Sequence, residues 1–197
     1  MMLYCPATFS LGSIRDAVAA ADAALFRAVN LGLAARWLDV VMLGVTTLGE
    51  GWVQALIGAA AVVAAVVKRR DDLRRMGYAA LAAYAGSGLT SQAVKYLGDR
   101  PRPLLVLYDA RHVGDPLFIH SFPSGHATTI FAAAFAWGAF LPRARWVFYG
   151  LAVLVAFSRV YLGVHFPLDV VYGAVLGALV GAGSARLFGV GCVEGAK

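Results

Sequence analysis

The chain has 197 residues, of which 60% are hydrophobic and only 14% charged, and its mean hydropathy is +0.72. That balance excludes an ordinary soluble globular domain and points to a one-domain integral membrane protein. The net charge of +6 is scattered around apolar runs and lines no polar face, so the expected partner is anionic lipid and not nucleic acid.

The N-terminal stretch "MMLYCPATFSLGSIRD" has no basic region followed by an apolar core, so no cleavable signal peptide is expected. Residues 1–37 carry Asp22, Arg27 and Asn30 through an apolar background and read as an amphipathic, interfacial segment. A short apolar run, Leu38 to Leu48, ends at "GEG". If it crosses the bilayer, the N-terminus lies in the cytoplasm with Arg36 at that edge. Five longer runs follow: Trp52 to Val67, Met76 to Leu97, His126 to Leu141, Trp146 to Gly163 and Pro167 to Phe188. Crossing a hydrocarbon core takes about 20 helical residues. The expected fold is therefore an all-α integral membrane helical bundle with five to six transmembrane helices, its membrane domain spanning 38–188 and a cytoplasmic tail 189–197.

Lys and Arg accumulate in cytoplasmic loops. "KRRDDLRR" (68–75) is the densest basic loop and is placed inside, which also puts "PRAR" (142–145) and the tail inside. Residues 98–124 and "GVHF" (163–166) then fall outside. Cys5 and Cys192 have no CxxC or His-rich company and read as incidental.

Lys95, Arg100, Arg102, Arg111 and Arg159 lie on the outer side, against that rule. Charge near a membrane helix costs about 2.5–3.5 kcal/mol at the bilayer centre, so these groups need a partner, and the partner they suit is an anion. Three clusters hold the polarity: "KYLGDRPRP" (95–103), "PSGH" (123–126) and "SRVYLGVHFPLD" (158–169). A topology derived without them places all three on one face.

His165 and Asp169 are four apart, about one helical turn, so a helix entered near Pro167 brings the carboxylate beneath the imidazole. A carboxylate in that place fixes the tautomer and leaves the other ring nitrogen as nucleophile or base. His165 alone would read as an interfacial structural residue; with Arg159, whose planar fork suits phosphate, the reading turns to function. Pro123 and Gly125 form a turn, and His126 opens a helix whose first amides have no internal partner, an anion site to which Ser124 can add a hydroxyl. Taken alone, Ser124 would be an ordinary N-cap. Lys95 and Arg102 flank a helix stop, and Arg100 offers a second guanidinium, so spacing leaves open which arginine meets the ligand.

Together these stretches resemble the three signature motifs of the type 2 phosphatidic acid phosphatase superfamily: Lys, six residues, Arg-Pro; Pro-Ser-Gly-His; and Ser-Arg, five residues, His, three residues, Asp. The resemblance covers roughly residues 38–188. It implies a helical bundle in which His165 forms a phosphohistidine, Asp169 orients it and His126 is the general acid. It further implies that Lys95, Arg102, Arg159, Ser124 and the Gly125 amide hold the phosphate, with no metal and no cofactor. Physical chemistry agrees: phosphoryl transfer needs positioning and charge neutralisation, which three cations and helix-end amides supply. The acidic residues near the site, Asp99, Asp109, Asp115 and Asp169, form no evident metal cluster.

The expected function is a phosphatase of a membrane lipid, acting on the extracytoplasmic face of the inner membrane. A prenyl diphosphate such as undecaprenyl diphosphate is the first choice of substrate, ahead of phosphatidylglycerophosphate, phosphatidate or a lipid A phosphate. A lipid phosphotransferase shares the first half-reaction. A vanadate-dependent haloperoxidase shares the motifs but is soluble, and a non-catalytic lipid-binding or transport protein would not need the complete His126, His165 and Asp169 set. His112 and His120 read as residues of the outer loop, which shapes headgroup choice.

Overall fold

The computed structural model describes residues 11–98 and 100–189; Cys5, Cys192, Asp99 and nearly all of the 189–197 tail lie outside them. These residues form eight helices: α1 (Leu11–Asn30), α2 (Arg36–Thr47), α3 (Gly51–Lys68), α4 (Asp71–Leu97), α5 (Pro103–Val106), α6 (Gly125–Phe140), α7 (Arg145–Tyr161) and α8 (Pro167–Leu187). The all-α bundle expected from hydropathy is the fold observed, and the five long apolar runs correspond to α3, α4, α6, α7 and α8.

Two of the described helices, α3 and α8, are both long and apolar enough to cross a membrane. Helix α4 has 27 residues but a more polar sequence, whereas α6 and α7, with 16 and 17 residues, reach about 24–26 Å. The outer surface is strongly apolar: Trp52, Leu56, Val63, Leu89, Val153, Val175 and Leu179 are all more than half exposed. A belt of that size suits lipid and not water.

Helix α6 is central, touching α3, α4, α7 and α8. It packs on α8 through Gly173, Gly177 and Gly181, one per turn. A Cβ at these positions would sit 2.7, 2.2 and 2.2 Å from the carbonyl oxygens of Ser124, Thr128 and Ala132. Without side chains there the two backbones meet, which is how membrane helices gain van der Waals contact when lipid offers no hydrophobic drive. Ala83, Ala132 and Ala136 form the corresponding seam between α4 and α6.

The shorter apolar run, α2, does not traverse the bundle. The Tyr161 hydroxyl at the end of α7 donates to Asp39 near its start (2.7 Å). Arg159 donates to Thr46 near its end (2.7 Å), and Gly49 just beyond lies against Val155 and His126. Both ends of α2 thus stay in the half of the bundle that holds Arg159 and His126. In α1, two of the polar residues of the amphipathic segment turn inward: Asp22 and Asn30 are buried with Phe26 on one face. Their polarity is satisfied within the protein, since Asn30 donates to the carbonyls of Arg111 and Tyr161 (both 2.8 Å) and accepts from the Arg111 amide.

Candidate active site

The three polar clusters converge on one cavity of about 300 Å³, lined among others by Gln92, Lys95, Arg102, His120, His126, Arg159 and His165. Each arrives by a distinct local device. Lys95 stands in the last turn of α4. Arg102 is the N-cap of α5, with Pro103 at the first helical position, where its missing N–H costs nothing. His126 is the second residue of α6, behind a cis Phe122–Pro123 bond.

His165 is set by the turn after α7. Gly163 has φ +79°, and a Cβ there would fall 2.0 Å from the Arg111 carbonyl oxygen, so only glycine permits the turn. The chain folds back so that the amides of Val164 and His165 both donate to the Arg159 carbonyl (3.0 and 3.2 Å). Pro167 then starts α8, and Asp169 accepts from the Phe166 amide (3.0 Å).

Nε2 of His165 faces the cavity, 3.4 Å from an Arg102 nitrogen. Nδ1 faces the other way, 3.5 Å from the Ser121 hydroxyl and 3.8 Å from the Asp169 carboxylate. Four-residue spacing does bring the carboxylate below the ring, yet not into direct hydrogen-bond contact. Asp169 is instead held by Ser121 (2.5 Å), the Phe166 amide and Arg100 (2.6 Å).

Arg102 is buried and donates to the carbonyls of Ile119 (2.8 Å), Val164 (3.1 Å) and His120 (3.3 Å). Burial lowers its guanidinium from the ordinary value; an arriving anion offsets that cost. Arg159 spends one nitrogen on Thr46, while its Nε is buried with no protein partner, as is the Ser124 hydroxyl. Ser124 does occupy the N-cap of α6, but its side chain caps nothing, and its amide donates to the Asp169 carbonyl (3.0 Å). A Cβ at Gly125 would lie 3.7 Å from the Lys95 ammonium. Buried donors without acceptors are costly, and Arg159, which carries one of them, lines the cavity.

The structure settles which arginine meets the cavity. Arg102 lines it, whereas Arg100 turns away to bond Asp169 and Asp22. His112 holds the Asp115 carbonyl (3.0 Å) in the loop; His120 lines the cavity and offers its carbonyl to Arg102. Four participants escaped the sequence reading. Glu50 lies 3.2 Å from His126 Nε2, Thr46 binds Arg159, Ser121 binds Asp169 and Asp22 binds Arg100. Only Ser121 had a local signal, standing two residues before the "PSGH" turn. Among the described residues no group of three or more His, Cys, Asp or Glu is placed to hold a metal ion.

Comparison with known proteins places the chain in a family. The sequence matches the PAP2 superfamily over residues 77–190. It is 29% identical over 123 residues to an undecaprenyl-diphosphatase of Sulfolobus acidocaldarius, covering 61% of this chain and 59% of that protein; the chain thus spans well under two thirds of that relative. It is 36% identical over 146 residues to a decaprenylphosphoryl-5-phosphoribose phosphatase of Mycobacterium tuberculosis, covering 71% of this chain and 74% of that one. Its fold superposes on the crystal structure of a transmembrane PAP2-type phosphatidylglycerolphosphate phosphatase from Bacillus subtilis with a TM-score of 0.71 and 29% identity, covering 87% of this chain and 86% of that one. With the apolar belt and the long apolar helices α3 and α8, that likeness makes this an integral membrane protein. Motifs, cavity and overall fold lead to one conclusion: the chain belongs to the PAP2 superfamily.

Proposed function

We propose that this protein is a membrane phosphatase that hydrolyses a phosphate or diphosphate ester of a lipid through a phosphohistidine on His165. One observation carries the reading: His165 Nε2 opens onto a cavity ringed by Lys95, Arg102 and Arg159, with the Nε of Arg159 and the neighbouring Ser124 hydroxyl buried without protein partners. The phosphate oxygens would take those donors, and the cations would neutralise the charge of an in-line transition state.

In the first step the Nε2 lone pair forms the N–P bond while the bond from phosphorus to the lipid oxygen breaks, and His126 gives its proton to that oxygen. In the second, His126 takes a proton from water as the water oxygen attacks phosphorus, and the N–P bond breaks to release inorganic phosphate. Neither step calls on a metal, so chelators are expected to leave turnover intact.

Below His126 an apolar cavity of about 340 Å³ runs between α3, α6 and α7, lined by Leu48, Ile57, Ile130, Trp137, Phe148 and Leu151 among others. It offers a lipid tail a place beside the leaving oxygen. A prenyl diphosphate is the preferred substrate, in keeping with the undecaprenyl-diphosphatase relative; phosphatidylglycerophosphate, phosphatidate and lipid A phosphates follow. The basic stretch 68–75 lies at the end of α3 opposite the site, which supports a site on the extracytoplasmic face of the inner membrane.

The test is phosphate release from a panel of lipid phosphates and diphosphates by the purified protein, with and without chelator. The wild type should release free phosphate, and His165→Ala should abolish it. Undiminished release by His165→Ala would overturn the reading, and transfer to a second lipid without free phosphate would mark a phosphotransferase.

A further inference from the structure

We propose that Asp22, in α1, is a positioning residue of the active site: it shares the Arg100 guanidinium with Asp169, so that Asp169 keeps a net negative charge toward His165. The inference rests on the reading of His165 as nucleophile. Asp22 lies far outside the matched residues 77–190.

Arg100 donates from one terminal nitrogen to Asp169 (2.6 Å) and from the other to Asp22 (2.5 Å). The two carboxylates are buried, at 0% and 1% side-chain exposure, while Arg100 is 28% exposed. The guanidinium carbon sits 4.3 Å over the Phe166 ring, which packs on Phe26, one turn beyond Asp22 in α1. The second oxygen of Asp22 accepts from the Leu168 amide at the start of α8 (2.9 Å). One cation therefore lies between two carboxylates in a region of low dielectric, and the set carries one net negative charge.

That charge has a use. When His165 attacks phosphorus, positive charge develops on its ring, and a carboxylate on the Nδ1 side stabilises it. If Arg100 served Asp169 alone, the pair would be neutral and the ring would meet little field. Because Asp22 takes half of Arg100, the residual negative charge stays beside His165. Through this pairing α1 contributes to the chemistry without touching the cavity.

The experiment compares Asp22→Asn, Arg100→Gln and the double variant in detergent, with p-nitrophenyl phosphate and a lipid phosphate as substrates and His165→Ala as control. Asn keeps an oxygen for the Leu168 amide and turns its NH2 toward Arg100, so it removes both the charge and the acceptor that hold that guanidinium. We expect Asp22→Asn to lower kcat about tenfold with KM within about twofold, since the phosphate donors are untouched. The double variant restores a single net negative charge and should exceed both single variants. Asp22→Glu, which keeps the charge, should stay nearer to wild type than Asn, and it decides the matter together with the double variant if Asp22→Asn does not accumulate in membranes. A double variant weaker than Arg100→Gln alone marks a structural clamp and overturns the proposal, as does wild-type kcat for Asp22→Asn. An active His165→Ala would instead sink the underlying reading, so the two failures are distinct.

Discussion

Nδ1 of His165 lies 3.8 Å from the nearer Asp169 oxygen, with the Ser121 hydroxyl between them, 3.5 Å from the ring and 2.5 Å from the carboxylate. Ser121 is fully buried, so its bond to a charged acceptor is a strong one, of roughly 1.5–3 kcal/mol. Ser121→Ala should loosen the carboxylate that steadies the proposed nucleophile and lower kcat about tenfold, with little change in KM. Steady-state kinetics on a lipid phosphate will show this.

Ser124 presents the opposite case. Its hydroxyl is buried and bonds nothing in the protein, so Ser124→Ala removes no bond from the folded state. Thermal unfolding in detergent should move by no more than about 1–2 °C, while KM and the inhibition constant of inorganic phosphate rise about fivefold to tenfold. A large stability loss with unchanged phosphate affinity would mean that the hydroxyl serves the fold.

Glu50 holds His126 Nε2 at 3.2 Å from a partly exposed position at the mouth of α3. Glu50→Gln keeps an oxygen for the ring but removes the charge beside the proposed proton donor. An alkoxide leaving group depends on that proton more than a lipid monophosphate leaving group does. Turnover of a lipid monoester should therefore fall about fivefold, and that of the matching diphosphate less than about twofold. Equal losses on both substrates would contradict the assignment.

His165 sits in the loop between α7 and α8, where burial, opposed by Asp169, pulls its pKa down to about 4. In the proposed mechanism the neutral ring is the attacking form, so lowering the pH from 8 to 5 should not switch His165 off, and an acid limb of activity in that range is expected from another group. The unfolded chain protonates this histidine near the ordinary value of about 6.5. It thus binds more protons than the folded protein between 6.5 and 4, and stability falls as pH drops through that window. Melting temperatures at pH 7.5 and 4.5 should differ less in His165→Asn than in wild type.

Gly177 meets the Thr128 carbonyl so closely that an alanine Cβ would sit 2.2 Å from it. Gly177→Ala must push α6 and α8 apart, at about 1–3 kcal/mol of stability. Because α6 carries His126 and α8 carries Asp169, turnover should drop as well. A shift of several degrees in melting, accompanied by lost activity, is the expected result.

Much of this was legible in the sequence because each motif is nearly a local structure. Pro167 starts a helix that carries Asp169 one turn from His165, and Pro123 and Gly125 make the turn that opens α6 at His126. Hydropathy marked the five long helices, since lipid selects apolar side chains regardless of which neighbours they meet. What the polar residues of α1 do was not legible in the same way: the partners of Asp22 and Asn30, which are Arg100, Leu168, Arg111 and Tyr161, arrive from more than 70 residues away.

The sequence by itself determined the set of side chains on which the proposed chemistry rests, because Lys95, Arg102, Arg159, His126, His165 and Asp169 carry their charges and spacings wherever the helices lie. Only the tertiary structure decided that Arg102 lines the cavity while Arg100 serves Asp169, and that Glu50, Ser121 and Asp22 complete the surroundings of the two histidines. Those pairings depend on the glycine face of α8 closing onto the α6 backbone and on the turn at Gly163. Such through-space proximities are set by packing between distant segments, and no local spacing encodes them.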